Sequence, residues 1–146
     1  MEFEADDVAR LRAAFGRISR LVDRRVSGDG LTRTQLSVLA TVGWHGPLRA
    51  SELADREGVN PTMLSRVVGK LEQAGLLRRL PDPDDGRVVL VEITGRGTRL
   101  QERLRRERTA LFAELLGSLT PEQAAQLLAA LPALESLAEN LAAVPR

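Results

Sequence analysis

Apolar residues recur at steps of three and four over much of the chain, the spacing that builds one stripe along an α-helix. From Asp6 to about Val26 the stripe is Val8, Leu11, Phe15, Ile18 and Val22, and Gly28 and Gly30 end it. Arg10, Arg12, Arg17 and Arg24 fill the opposite face and read as solvated surface. Thr32-Arg33-Thr34-Gln35 is a capping box, in which the hydroxyl and the amide satisfy backbone groups reciprocally, and it predicts a second helix with Leu36, Leu39 and Val42 inward. That helix stops at His45-Gly46-Pro47, where glycine takes the left-handed conformation and proline cannot continue the ladder. Trp44 and His45 fall in its last turn.

The run RASELADREGVNPTMLSRVVGKLEQAGLL predicts a short helix from about Ala50 to Glu57, a turn at Gly58-Val59-Asn60, and a further helix to Ala74 stopped by Gly75. Two helices joined by a three-residue turn containing glycine form a helix-turn-helix. Asn60 is a strong N-cap, and Pro61 suits the first helical position because its missing N–H would have no partner there. Two apolar-rich segments follow, about Leu76 to Leu80 and Val88 to Ile93, separated by the turn formers Pro81 to Gly86. They predict a β-hairpin whose long turn projects as a wing.

Thr94 caps a long helix carrying Leu100, Leu104, Leu111 and Leu115, which ends near Gly117. Leu119-Thr120-Pro121-Glu122-Gln123 repeats the capping-box pattern and opens a helix bearing Leu127, Leu128, Leu131, Leu134, Leu137 and Leu141. Pro132 lies inside this run and is expected to kink the helix near Leu128 to Leu131 or to divide it. The fold class is therefore mainly α with a small β-hairpin: a winged helix-turn-helix lobe over 32–94, flanked by helical regions 1–30 and 95–146 within a single domain of 146 residues.

On the helix from Asn60, the inward stripe Leu64, Val67, Val68 and Leu71 leaves Thr62, Ser65, Arg66, Gly69, Lys70 and Gln73 outside. Small hydroxyl side chains let a helix end approach base edges, an arginine can pair with guanine O6 and N7, and a lysine reaches phosphate as a point charge. Asn60, Pro61, Thr62, Ser65, Arg66 and Lys70 are accordingly the expected DNA contacts, the exposed N–H groups at the helix start also suiting a phosphate. Arg87 at the wing tip is expected in the minor groove, held by Asp85 two residues earlier; a plain surface ion pair with Asp84 or Asp85 is its competing role. Arg78 and Arg79 alternate across the strand, so at most one faces DNA.

Net charge is only +1, yet residues 49 to 108 carry 13 basic against 10 acidic side chains, while residues 109 to 146 carry one arginine against four glutamates. The positive charge thus lies with the central segment. With three Phe, one Trp and no Tyr, the core must be mainly Leu, Val and Ala. No cysteine and a single histidine, His45, leave thiolate metal sites, disulfides and histidine relays short of parts, so no metal, cofactor or enzymatic role is expected. The absence of a long apolar run, and a start at MEFEADD that lacks a signal pattern, point to a cytoplasmic protein away from membranes.

In LTRTQLSVL, ASELADREGVNPTMLSRVVGKLEQAGLLRR and DPDDGRVVLVEITGRG, the chain resembles the MarR family of bacterial transcription regulators, over about Thr32 to Leu104 by motif. The last segment carries the family's Asp-x-Arg wing pattern as Asp85-Gly86-Arg87. The resemblance implies a homodimer with interleaved terminal helices and two winged lobes on adjacent major grooves. It also implies a repressor released by a small aromatic or anionic effector between the dimerisation helices and the winged domain. Phe15, Arg17, Trp44 and His45 are conceivable ligand contacts, but each fits core or surface as well, and no effector site is assigned. Arg49 stands where a Ser or Thr cap is usual, and Pro132 interrupts the last helix. Lack of cysteine argues against peroxide sensing. A winged helix serving only protein assembly is the alternative, disfavoured by Arg66, Lys70 and Arg87.

Overall fold

The computed structural model describes residues 3–26 and 28–143, with side chains through residue 140. It divides into two compact units, Met1–Arg108 and Thr109–Arg146. The first unit begins with α1 (Ala5–Arg25), closed where the Val26 N–H donates to the Val22 carbonyl. Of its predicted stripe only Val22 is buried; Val8, Leu11, Phe15 and Ile18 are between 42% and 50% exposed. Next, α2 (Arg33–His45) starts with both halves of the capping box: Gln35 N donates to Thr32 Oγ1 at 3.2 Å and Thr32 N to Gln35 Oε1 at 2.8 Å. Its buried face is Val38, Leu39 and Val42, with Leu36 only half-buried. Gly46 has φ 73° and ψ −161°, a glycine conformation but not the left-handed helical one expected.

The short strand β1 (Leu48–Arg49) was not foreseen, and it turns the hairpin into a three-stranded antiparallel sheet of order β1-β3-β2. Two residues carry no readable alternation; only the partner strand reveals them, with Leu48 opposite Val91. The hairpin strands are β2 (Leu77–Pro81) and β3 (Val89–Ile93), paired from Leu77 with Ile93 to Pro81 with Val89. Between β1 and β2 lie α3 (Ala50–Glu57) and α4 (Pro61–Gln73). Val38, Leu39 and Val42 of α2, Leu53 of α3, Leu71 of α4, Leu77 of β2 and Val91 of β3 are all at most 1% exposed, so one aliphatic core fixes both helices against the sheet.

The last helix of this unit, α5 (Gly95–Leu116), is anchored by Thr94, whose Oγ1 accepts from Gly97 N at 3.1 Å and donates to the Gly75 carbonyl at 2.6 Å. Gly97 admits the helix close to the sheet: a Cβ there would lie 2.2 Å from the Leu76 carbonyl oxygen. From the loop before α2, Asp29 accepts from Arg103 Nη2 at 2.5 Å and ties that loop to α5.

The second unit holds the end of α5 and α6 (Pro121–Ala143). Thr120 and Gln123 make the expected capping box, with Thr120 N donating to Gln123 Oε1 at 3.0 Å and Gln123 N to Thr120 Oγ1 at 3.3 Å. Pro132 does not divide the helix, which runs through it as one element. Leu127, Leu128, Leu131 and Leu137 are exposed and Leu134 is half-buried, while the Leu141 side chain lies outside those described.

Candidate nucleic-acid interface

The helix-turn-helix is built by local chemistry on both sides of the turn. Gly58 closes α3 in the left-handed conformation, φ 65° and ψ 32°, and the Val59 N–H returns to the Ala54 carbonyl at 3.1 Å. Asn60 Oδ1 accepts from Met63 N at 2.8 Å, and Pro61 occupies the first helical position. The Asn60 side-chain oxygen is therefore engaged as the cap. α3 itself starts at Arg49 without a side-chain cap, as its sequence foreshadows.

Leu64, Val68 and Leu71 are buried and Val67 is half-buried, so α4 presents Thr62, Ser65, Arg66, Lys70 and Gln73 outward. Exposed Met63 lies among them, an apolar contribution missed in the sequence because it breaks the polar pattern. Arg66 and Lys70 stand one turn apart, and neither has an ion-pair or hydrogen-bond partner among the described residues. A Cβ on Gly69 would meet nothing within 4 Å, so this stretch of the helix surface is open and low.

Arg78 and Arg79 are both committed to acidic partners. Arg78 Nε donates to Glu92 Oε2, directly across the sheet, at 2.6 Å. Arg79 reaches back to α4, donating to Glu72 Oε2 at 2.5 Å and to the Ser65 carbonyl at 3.0 Å. It clamps the strand to the helix that carries the exposed residues. No local spacing rule connects positions 65, 72 and 79, because Gly75 reverses the chain between them; that is why the clamp escaped sequence reasoning.

The wing is closed around Asp82, the one buried charged residue among those described. Its carboxylate accepts from Asp84 N at 2.8 Å and lies 3.3 Å from Arg49 Nη2, while its N–H donates to the Val88 carbonyl at 2.9 Å. The Asp84 N–H chiefly, with the Arg49 charge, holds the Asp82 carboxyl below the usual carboxylate range against the opposing effect of burial. Arg49 thus joins the start of α3 to the wing base, a role its sequence position does not reveal. At the tip, Asp85 Oδ1 accepts from Arg87 N at 3.0 Å and from Arg87 Nε at 3.3 Å. The Arg87 side chain remains 94% exposed, so the ion pair orients the guanidinium without covering it.

Of the side chains considered as effector contacts, Trp44 is 79% exposed and His45 is exposed beside it, while Phe15 is exposed on α1. Arg17 lines a depression along α1 with Leu11, Ala13 and Ala14. Among the described residues no group of three or more His, Asp or Glu is placed to hold a metal ion, and no helix is long and apolar enough to cross a membrane.

The MarR family profile matches residues 31–89, from the residue before the Thr32 cap of α2 to the first residue of β3. The chain is 34% identical to the HTH-type transcriptional repressor MdtR of Bacillus subtilis, over 80% of this chain and 75% of that one. It is 33% identical to the multiple antibiotic resistance protein MarR of Salmonella typhimurium, over 74% and 76% of the respective chains. Among solved structures, RV1404 from Mycobacterium tuberculosis superposes with a TM-score of 0.79 at 26% identity, covering 93% of this chain and 95% of its own. With the helix-turn-helix, the wing and these relatives in agreement, the chain belongs to the MarR family of winged helix-turn-helix, DNA-binding transcriptional regulators.

Proposed function

We propose that this regulator is a cytoplasmic repressor that binds a pseudo-palindromic operator as a homodimer and is released by a small aromatic or anionic effector. One observation carries the DNA contacts: Arg66 and Lys70 stand unpaired on the same exposed face as Thr62 and Ser65, whereas Arg49, Arg56, Arg78 and Arg79 are spent on carboxylates. In this reading the start of α4, from Asn60 and Pro61, enters the major groove. Thr62 and Ser65 allow close approach, Arg66 reads a guanine edge, and Lys70 meets phosphate. Arg87, oriented by Asp85, enters the minor groove beside it.

Repression is supported by the named role of the B. subtilis relative. The homodimer is supported by the exposed apolar stripe of α1, since contiguous apolar surface of that extent ordinarily covers a partner. A two-fold dimer would span half-sites about 10 bp apart.

The test is binding to DNA fragments selected by the purified protein. Arg66→Ala should cost about 1–3 kcal/mol at one base position and relax the preference there. Arg87→Ala should weaken binding without that relaxation. Unchanged gel-shift affinity in both variants removes the assignment.

A further inference from the structure

Met63 is the one large apolar side chain that α4 leaves exposed among the described residues, at 43%. It is the third residue of the helix, in the turn fixed by the cap, since its N–H donates to Asn60 Oδ1 at 2.8 Å. The core does not need it: Leu64, Val68 and Leu71 fill the inward side of α4 and are at most 2% exposed.

Single exposed apolar residues are common on protein surfaces and by themselves mark nothing. What distinguishes Met63 is its surroundings. Arg66 follows three residues later and is its neighbour on the helix surface, with Lys70 one turn beyond. Neither cation has an ion pair or hydrogen bond among the described residues, so this face draws a phosphate backbone. α4 supplies no aromatic residue to stand beside Met63, as the anchor of a protein interface ordinarily has. In the major groove, base edges present donors, acceptors and one apolar group, the C5-methyl of thymine. A flexible, polarisable thioether adapts closely to such a methyl.

We infer that Met63 is a specificity-determining residue of the DNA contact, packing against a thymine methyl near the guanine that Arg66 reads. Residues three apart on a helix have Cβ atoms about 5–6 Å apart, and successive base pairs rise by about 3.4 Å. The thymine therefore lies within about two base pairs of that guanine. This contact rests on the placement of α4 in the major groove proposed above.

The experiment takes the full-length protein and the operator fragment it selects, and replaces each thymidine in turn with deoxyuridine, which lacks only the C5-methyl. Base pairing and the O4 acceptor are unchanged. One replacement, within about two base pairs of the position whose preference Arg66→Ala relaxes, should weaken gel-shift affinity about fourfold, the equivalent of about 0.8 kcal/mol for one buried methyl group. Met63→Ala and Met63→Gln should bind both fragments equally, whereas Met63→Leu, apolar and of similar volume, should keep the difference. Thr62→Ser removes the methyl group of the exposed residue before Met63 and should also keep the difference, whatever it does to overall affinity. Tolerance of uracil at every thymine, a penalty that persists in Met63→Ala or Met63→Gln, or its disappearance in Thr62→Ser, overturns the contact. The two readings fail separately: an Arg66→Ala variant without effect removes the major-groove placement, whereas loss of affinity in Arg66→Ala with uracil tolerated throughout overturns the Met63 contact alone.

Discussion

Gly97 is where the packing makes its sharpest demand, and replacing it with alanine gives a stability change that can be worked from the structure. The added Cβ would lie 2.2 Å from the Leu76 carbonyl oxygen and 2.7 Å from Ile93 Cγ1. Close carbon–oxygen contacts settle at about 3.3 Å, so helix and strand must separate by about 1 Å. The first obstacle is main chain, tied into the sheet through the Thr94 N–H bond to that same Leu76 oxygen at 3.0 Å, and it cannot swing aside as a side-chain tip would. Overpacking of this kind costs about 1–3 kcal/mol, and rigid backbone puts the site at the upper end. Alanine recovers at most about 1 kcal/mol of helix propensity. Net destabilisation of about 2 kcal/mol is expected.

Gly69→Ala is the internal control, since it lies in the interior of α4 with open space where its Cβ would go. It should stabilise by about 0.5–1 kcal/mol. Both variants are compared with the parent by urea denaturation at one protein concentration, because dimerisation would make midpoints concentration-dependent. A Gly97→Ala protein as stable as the parent, or a Gly69→Ala protein less stable, would refute the geometric reasoning.

Other consequences are equally direct. Arg79→Ala removes an exposed clamp and should change stability by less than about 1 kcal/mol, yet lower operator affinity by misplacing α4. As Arg79 is a positioning residue, the salt dependence of binding should keep its slope, whereas Lys70→Ala should reduce that slope by about 1; a reduced slope for Arg79→Ala would mean direct phosphate contact. Asp82, Asp29 and Glu122 all have carboxyl pKa values lowered by folding, so their stabilisation is complete above their ordinary values and lost as pH falls through the folded ones. Stability should therefore hold down to about pH 5 and fall below about pH 4, and the gap between parent and Asp82→Asn should narrow over that fall; a constant gap would contradict the assignment. Replacing both Leu11 and Phe15 on α1 with glutamate should reduce the sedimenting mass at micromolar concentration towards one chain, and a parent protein that already sediments as one chain would remove the dimer.

Most elements were legible in the chain because their determinants are local. Capping boxes at Thr32 and Thr120, the Asn60-Pro61 start, and glycines at 58 and 75 act through groups within five residues, so their positions along the sequence suffice. The polar face of α4 was legible for the same reason: its inward stripe dictates which residues remain outside. What tertiary structure alone decided involves groups distant in sequence. β1 exists only because Val91 and Leu90 present an edge to it. Arg49 meets Asp82, Arg103 meets Asp29, and Arg79 meets Ser65 and Glu72 only after the core brings their elements together. Spacing shows that an arginine is present but not whether a carboxylate has claimed it, and that difference separates Arg66 and Lys70 from Arg78 and Arg79.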